Sequence, residues 1–595
     1  MKSKQENKEH KSFQLRLASK AYGAKYKKAN PGPAYAWPMG AWFSLFFIVP
    51  LIIIVCYSFL KRDVYGGVTR EFSLKAYEQM LSPAYGLIFL RTLWITIIAT
   101  AVTILISLPC GYAMARSKHQ TLLLILVIVP FLTNSLIRIF AWITILGDNG
   151  LFNQLLSNLH DIICKVTGST KEFLPHKFMF TREAVILVSI YMYLPYAILP
   201  VFTAVDRFDF TLLEAARDLG ATKMQSMFKV LIPGIKSGIL SAIIFTFIPI
   251  FGTYTVPQLV GGKDSYMLGN IIVDQVQKVR NWPLASAFSL VITVISMAGV
   301  LLMLSTGKKE ADMNKKYKSI PKSESNRHAK RQWKKRNPRF SLSNTVLCLS
   351  ILFLFLPLFV IVFFSFNESK DTTFTNFSFI WYQKLIFSSK PLWHALLNSF
   401  IVALTSAITA TVLGTLAAIG ISWYKFFGKS YIQSISFLPM VLPEVIMGIS
   451  LLIFFSGIKL SLGLFTIFIA HTTFCLPFVY LMVSARIDEF DYSIIEASHD
   501  LGANEFQTLT KVIVPAIMPG IISGFMMSIT MSLEDYVITA LVSGPGSTTL
   551  PLYVYSLIRF GVSPVINSLS FVLILIICII AILLRSRLKT FAASR

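Results

Sequence analysis

Apolar runs long enough to cross a bilayer recur from one end of this chain to the other, and they leave few folds open. About 20 apolar residues span the hydrocarbon layer as a helix. Lipid cannot satisfy an open backbone donor or acceptor, so a chain built of such runs folds as helices. Twelve runs are read, near 41–60, 88–114, 121–146, 183–204, 236–260 and 284–305, then near 342–366, 395–423, 432–456, 461–485, 518–542 and 566–585. Only 14% of the residues are charged and 54% are hydrophobic, where a soluble domain carries roughly 25% charge. The expectation is an all-α integral membrane protein of about 12 transmembrane helices in two six-helix halves.

The remaining charge is placed, not scattered. Residues 1–30 hold nine Lys/Arg against two acids, residues 306–340 hold thirteen against three, and Arg585, Arg587, Lys589 and Arg595 close the chain. These segments supply +21 of the formal net charge of +26. Each flanks an apolar run, the pattern of cytoplasmic segments. An even number of spans puts both termini on one side, and the short basic connections 116–119 and 424–429 fall on that side too. A nucleic-acid or anionic-lipid role for 306–340 is the alternative reading; the charge distribution argues against it, and no nucleic acid is expected as a partner. No small-residue cleavage site follows the first run, so that helix is expected to stay as an anchor. The expected division is a basic segment 1–40, a first half 41–305, a flexible basic linker 306–341 with Pro321 and Pro338, a second half 342–585 and a tail 586–595. The expected place is the cell membrane, with both termini in the cytoplasm. The loops around 147–182 and 367–393 lie outside in this count and are long enough to dock an external partner.

Chemistry of its own is not expected of the chain. Cys56, Cys110, Cys164, Cys348, Cys475 and Cys578 lack metal-ligand spacing and read as small core residues. Gly428-Lys429-Ser430 resembles the end of a phosphate-binding loop, but the required earlier glycine is Trp423. No acid/base or nucleophile constellation stands in the extramembrane parts. The chain reads as no enzyme, with no metal and no cofactor held by it.

A repeat is the most informative feature. Residues 206–241 match residues 488–523 without gaps at an offset of 282, with 17 of 36 positions identical. The first copy runs from Asp206 through Thr211, Glu214-Ala215-Ala216, Leu219-Gly220-Ala221 to Pro233; the second from Asp488 through Ser493, Glu496-Ala497-Ser498, Leu501-Gly502-Ala503 to Pro515. Thr211-x-x-Glu214 and Ser493-x-x-Glu496 have the form of capping boxes. Leu212, Ala216 and Leu219, like Ile494, Ser498 and Leu501, share one helical face. Gly220 and Gly502 stand where a helix end favours a left-handed residue. Thr222-x-x-Gln225 and Asn504-x-x-Gln507 signal a second start, with Pro233 and Pro515 near that helix's end. Capping alone accounts for Glu214 and Glu496. It does not account for an apolar face on a two-turn helix, which is marginal in water unless something buries it.

Glu-Ala-Ala, three residues, Gly, and Pro thirteen residues later resemble the signature loop of ATP-binding-cassette importer permeases, twice over. The resemblance implies the type I importer permease fold, with loops 206–235 and 488–517 holding coupling helices that dock two copies of an ATPase subunit. It implies that Glu214, Ala215, Ala216, Leu219, Gly220 and Ala221, with Glu496, Ala497, Leu501, Gly502 and Ala503, make that contact, and that ATP and Mg are held by the partner. Ser498 departs from the pattern, replacing the second Ala. Ser135-Leu-Ile-Arg138, Asp148-Asn-Gly-Leu151, Val256-Pro-Gln-Leu-Val-Gly-Gly262 and Gly269-Asn270 make the first half similar to one permease subunit of spermidine/putrescine importers. Ser532-Leu-Glu-Asp-Tyr-Val-Ile538, Gly544-Pro-Gly546 and Thr549-Leu-Pro-Leu-Tyr-Val-Tyr-Ser556 make the second similar to the other. Such subunits are usually separate chains; here they are fused, so the linker has no family counterpart. The resemblance further implies a polyamine substrate delivered by an external substrate-binding protein. Related permeases carry thiamine, iron or other solutes, which remain alternatives. A gradient-driven carrier is a rival on topology, and a channel or scaffold another; neither explains the two loops.

Ionisable residues inside spans suggest function by default. Glu444 lies about 13 residues into its span and Glu534 and Asp535 about 16 into theirs, roughly 20 and 25 Å deep at 1.5 Å per residue. Three carboxylates at one depth suit an organic polycation. Tyr254 and Tyr536 correspond at the same offset of 282, and aromatic faces favour ammonium groups. The alternatives are that Glu444 sits at a helix break after Pro443 or pairs with Arg138, and that backbone groups satisfy Glu534. Arg138, at similar depth, is awkward beside a cation path, and its role stays open.

Overall fold

The computed structural model describes residues 31–167, 173–317, 342–369, 375–490, 493–560, 564–576 and 579. Among them, nine helices are long and apolar enough to cross a membrane, or up to eleven when each of two bent pairs counts as one span. The one sheet among the described residues is a hairpin of Leu60–Arg62 with Val68–Phe72. The first helix begins earlier than the expected 41, at Gly32. The helix Trp282–Tyr317 runs past the expected start of the linker at 306. The rest of the linker from 318, the segment 1–30 and most of the last expected span lie outside the described residues; that span is represented by Val565–Ile576.

Four expected spans are broken where hydropathy reads continuous. The run 121–146 is a helix Gln120–Ile128, a 3-10 turn Val129–Leu132 and a helix Ser135–Leu146. The run 432–456 repeats this with Lys429–Phe437, Leu438–Met440 and Glu444–Gly457. Pro130 and Pro439 stand inside the 3-10 turns, where the ring removes a donor that an α-helix needs. The run 236–260 stops at Phe251 and restarts at Thr255; the run 518–542 stops at Glu534 and restarts at Val537.

Prolines shape the helices in a second way. The π-turns Ser44–Ile48, Met227–Leu231 and Leu509–Ile513 each end two residues before a proline, at Pro50, Pro233 and Pro515. A proline cannot donate to the carbonyl four residues back, and the wider i→i+5 pattern absorbs the mismatch. From sequence Pro515 is expected near the end of its helix, but the helix does not end there: Glu505–Glu534 continues as one 30-residue span. In the other copy the chain bends by 71° between Lys223–Gly234 and Lys236–Phe251. A Cβ at Gly234 would fall 2.4 Å from the Phe208 ring, so the packing of Phe208 at this bend needs a glycine, where the straight copy has Ala516.

The described residues form two compact units, one drawn from 31–48, 403–440 and 471–532, the other from 49–317, 342–402, 441–470 and 533–579. They cut across the two halves: the start of the first helix groups with parts of the second half, and the rest of the first half groups with the second half's first helix and with 441–470 and residues from 533 on. In the first unit the Trp42 indole donates to Thr473 Oγ1 at 3.0 Å, and Gly40 packs on Ile432. In the second, Phe353 meets Trp142 at 5.5 Å and Tyr191 donates to the Leu354 carbonyl at 3.2 Å. Leu347, Leu354, Val360 and Phe364 join Trp142, Tyr191 and Leu194 in one buried core. Close helix approach rests on small residues: a Cβ at Gly111 would reach Val201 at 2.7 Å, and one at Gly414 would reach Val479 at 2.9 Å.

Candidate functional site

The two repeated loops fold alike. Helix Thr211–Asp218 ends at Gly220 (φ +88°) and helix Ser493–Asp500 at Gly502 (φ +83°), conformations that favour glycine. Ala221 N–H donates to Ala216 O and Ala503 N–H to Ser498 O, both at 3.0 Å, closing the helix ends as the glycine predicts. The second starts form as expected, with reciprocal caps between Thr222 and Gln225 and between Asn504 and Gln507. The expected box at Thr211 does not form. Asp209 Oδ1 takes both the backbone N–H and the hydroxyl of Thr211, so Glu214 is not a capping partner. The start of the second copy adjoins 491–492, outside the described residues.

Leu213 is the fully buried anchor of the first loop, packed with Tyr112, Val205, Leu231 and Ile235. Leu219 and Leu501 are 88% and 89% exposed. Leu212, Met224 and Phe228 are exposed beside the first, Ile494 and Phe506 beside the second. Ala215, Glu496 and Ala497 are also exposed, while Glu214 and Ala216 are half-buried. Ser498 is buried and its hydroxyl bonds Thr508 Oγ1 at 3.0 Å, which is why a serine serves where the first copy has Ala216.

The second site is built at the helix breaks, within the second unit. Asn134 caps helix Ser135–Leu146 by accepting from Leu136 N–H, and its Nδ2 donates to the Leu533 carbonyl at 3.5 Å. One turn on, Arg138 Nη2 donates to Glu534 Oε1 at 2.6 Å. The Arg138 guanidinium carbon also sits 5.4 Å from the Phe131 ring centroid, and Tyr196 meets Phe131 edge-on at 4.9 Å. Tyr193 lies beside Tyr196 at 5.9 Å. Tyr536 stacks on Tyr555 at 4.5 Å, and the phenols of Tyr254, Tyr536 and Tyr555 meet.

The three carboxylates divide their work. Asp535 is buried and accepts from Thr539 N–H at 2.8 Å and Thr539 Oγ1 at 2.7 Å, holding the start of helix Val537–Val542. Glu534 takes Arg138. Glu444 opens helix Glu444–Gly457, where a negative charge suits the helix dipole. It is exposed although 442–443 and 445–451 are buried, so its carboxylate is accessible where its chain neighbours are not. Its electrostatic neighbours are Asp535 and Glu534. Of the alternatives raised by the sequence, Arg138 pairs with Glu534 rather than with Glu444, and Glu444 does begin a helix after Pro443. The structure sets Glu444, Glu534 and Asp535 near one another, while the phenols of Tyr254 and Tyr536 meet each other and Tyr555. It adds Phe131, Asn134, Tyr193 and Tyr196 beside the acids and Arg138; for the three aromatics the signal was an aromatic inside an apolar run.

The cluster carries three carboxylates against one guanidinium, with the phenols of Tyr193 and Tyr196 beside it, a surface that attracts ammonium groups. Comparison with known proteins fits this picture. The family model described as "Binding-protein-dependent transport system inner membrane component" matches residues 103–306 and again 410–592. The spermidine/putrescine transport system permease protein PotC of Haemophilus influenzae is 36% identical over 253 residues, 42% of this chain and 97% of its own. PotC of Escherichia coli K12 is 37% identical over 241 residues, 40% of this chain and 91% of its own. The corresponding PotB of the same organism is 35% identical over 265 residues, 44% of this chain and 92% of its own. Each relative is thus matched nearly whole by less than half of this chain. The chain is a multi-pass membrane protein of the binding-protein-dependent transport system inner membrane component family, and it carries that component twice.

Proposed function

We propose that this chain is the complete membrane part of an ATP-driven importer, with both permease parts in one polypeptide, and that it carries polyamines such as spermidine and putrescine inward. An external binding protein delivers the substrate. Two ATPase subunits on the cytoplasmic side bind ATP and Mg, hydrolyse ATP, and move the spans through the two loops. Both termini lie in the cytoplasm with the loops. The observation that carries the reading is the pair of exposed apolar faces, centred on Leu219 and Leu501, on short glycine-closed helices at equivalent positions. Water does not stabilise such faces, and a gradient-driven carrier has no use for two of them. The polyamine assignment rests on the acidic and aromatic cluster and on what the PotB and PotC relatives are named for.

Replacing Gly220 and Gly502 by Val forces a β-branched residue into a left-handed conformation, at about 1–2 kcal/mol or more for each site. The expected outcome is an inserted permease that no longer retains the ATPase on affinity purification, with spermidine uptake lost. Retention of both would overturn the ATPase reading. Uptake unaffected by deletion of the gene, in cells lacking a second polyamine system, would overturn the substrate and leave the docking loops standing.

A further inference from the structure

We propose that Arg138 is a resident counter-cation of the path, a specificity-determining residue that competes with the transported cation for Glu534. The inference rests on the reading of this cluster as a cation path. Its ground is an asymmetry in the ion pair. The Arg138 side chain is 3% exposed and that of Glu534 is 20% exposed, so the carboxylate can be reached from the open side while the guanidinium stands behind it. Arg138 Nε is buried and has no hydrogen-bond partner, so the guanidinium has donor capacity that Glu534 does not use. The Phe131 face beside it gives the cation a second seat when Glu534 is taken.

Glu444 supplies the other half of the argument. It is exposed, it senses Glu534 and Asp535, and it has no ion-pair partner among the described residues. A cation arriving here finds Glu444 available and Glu534 occupied. A tethered guanidinium has an effective concentration in the millimolar range or above, which a single free charge does not match. A molecule with two ammonium groups meets different terms. Once one group rests on Glu444, the other is itself tethered and competes with Arg138 on equal footing. Arg138 therefore sets a lower limit on the number of charges a substrate must carry, and it keeps inorganic ions from settling on the carboxylates between cycles.

The test uses the complete importer in proteoliposomes, with ATPase and binding protein. Initial spermidine uptake is measured against rising Mg2+ or butylamine. The binding protein is the same in every preparation, so differences between variants belong to the permease. With Arg138→Gln, either competitor is expected to inhibit at roughly tenfold lower concentration than in the native chain, the change that ~1.4 kcal/mol of lost competition gives. In a Glu534→Gln background the same substitution is expected to add nothing. Arg138→Lys keeps the charge and loses the planar fork; it is expected to restore most of the native resistance, and it carries the test should the Gln variant fail to assemble. Unchanged inhibition curves in Arg138→Gln, with uptake reduced by Glu444→Gln, would overturn the role of Arg138 and leave the cation path intact. Native uptake in both Glu444→Gln and Glu534→Gln would remove the cluster from the path and the inference with it.

Discussion

Two breaks in this molecule have nearly the same backbone and opposite chemistry. Tyr254 precedes its short helix at φ −113°, ψ −46°, and Tyr536 precedes its own at φ −112°, ψ −43°. The turns beyond agree as well: Gly262 N–H donates to Ser265 Oγ at 2.7 Å and Gly544 N–H to Ser547 Oγ at 2.8 Å. Farther on, Leu268 N–H donates to Thr92 Oγ1 and Leu550 N–H to Ser399 Oγ. The residues before the tyrosines are Gly252-Thr253 in one copy and Glu534-Asp535 in the other. Duplication has kept the frame and changed the charge. The reason is steric as much as electrostatic, because a Cβ at Gly252 would fall 2.4 Å from Pro443 Cβ. The neutral break is the surface against which the turn bearing Glu444 is packed, so acid at one break and glycine at the other belong to a single design.

The comparison breaks most strongly at Glu534. Glu534→Gln leaves the Arg138 guanidinium buried without a counter-charge, and loss of one partner of a buried pair costs about 3 kcal/mol or more. A fall in thermal unfolding temperature of the detergent-solubilised chain is expected, recovered in the Arg138→Met, Glu534→Gln double variant. Equal stability of both single and double variants would show that the pair is not structurally coupled. Gly252→Ala comes next. It must push Pro443 aside, and overpacking of this kind costs about 1–3 kcal/mol. Uptake is expected to fall with it, because Glu444 follows Pro443 directly. The equivalent small change at the acidic break, Glu534→Asp, is expected to be milder in uptake and in unfolding temperature.

Composition and period revealed the helical class, the duplication and the loops, because these depend on apolar length and on residues that act locally. Gly220 and Gly502 close their helices in the way their position predicts, since a left-handed C-terminus is a property of a few neighbouring residues. Of the four breaks only the one after Pro443 was raised, as an alternative for Glu444; the others were not read, although Pro130 marks one of them. Hydropathy sums over residues and is blind to a backbone that turns while staying apolar. Nor was the grouping of helices across the halves legible, since an apolar face carries no address. Thr211 shows a local rule overruled by a nearer competitor, with Asp209 two residues away taking the groups a capping box would use. At the cluster, the acids could be placed at one depth from the sequence, but their division of labour could not: the partners of Asp535 and Glu534 are set by the turn of the chain after residue 534.

Asp535 gives the finest test of the comparison, because two substitutions there separate frame from charge. Its carboxylate accepts from Thr539 N–H and Thr539 Oγ1, as a cap does, and it also adds a negative charge beside Glu444. At the neutral break Thr253 precedes Tyr254 and no carboxylate is needed to reach the same dihedral angles. Asp535→Ala removes cap and charge together and is expected to cost about 1 kcal/mol of stability. Asp535→Asn keeps an acceptor oxygen for the helix start and removes only the charge. Its expected stability is within a few tenths of a kcal/mol of the native chain, since Asn and Asp cap almost equally. If the charge serves the path, spermidine uptake falls in both variants while unfolding temperature falls only in Ala. If Asp535 serves the frame alone, uptake follows stability, and the Asn variant transports like the native chain. The second result would reduce the acidic face offered to substrate to Glu444 and Glu534, leaving the lopsided charge between the two breaks to be carried by Glu534.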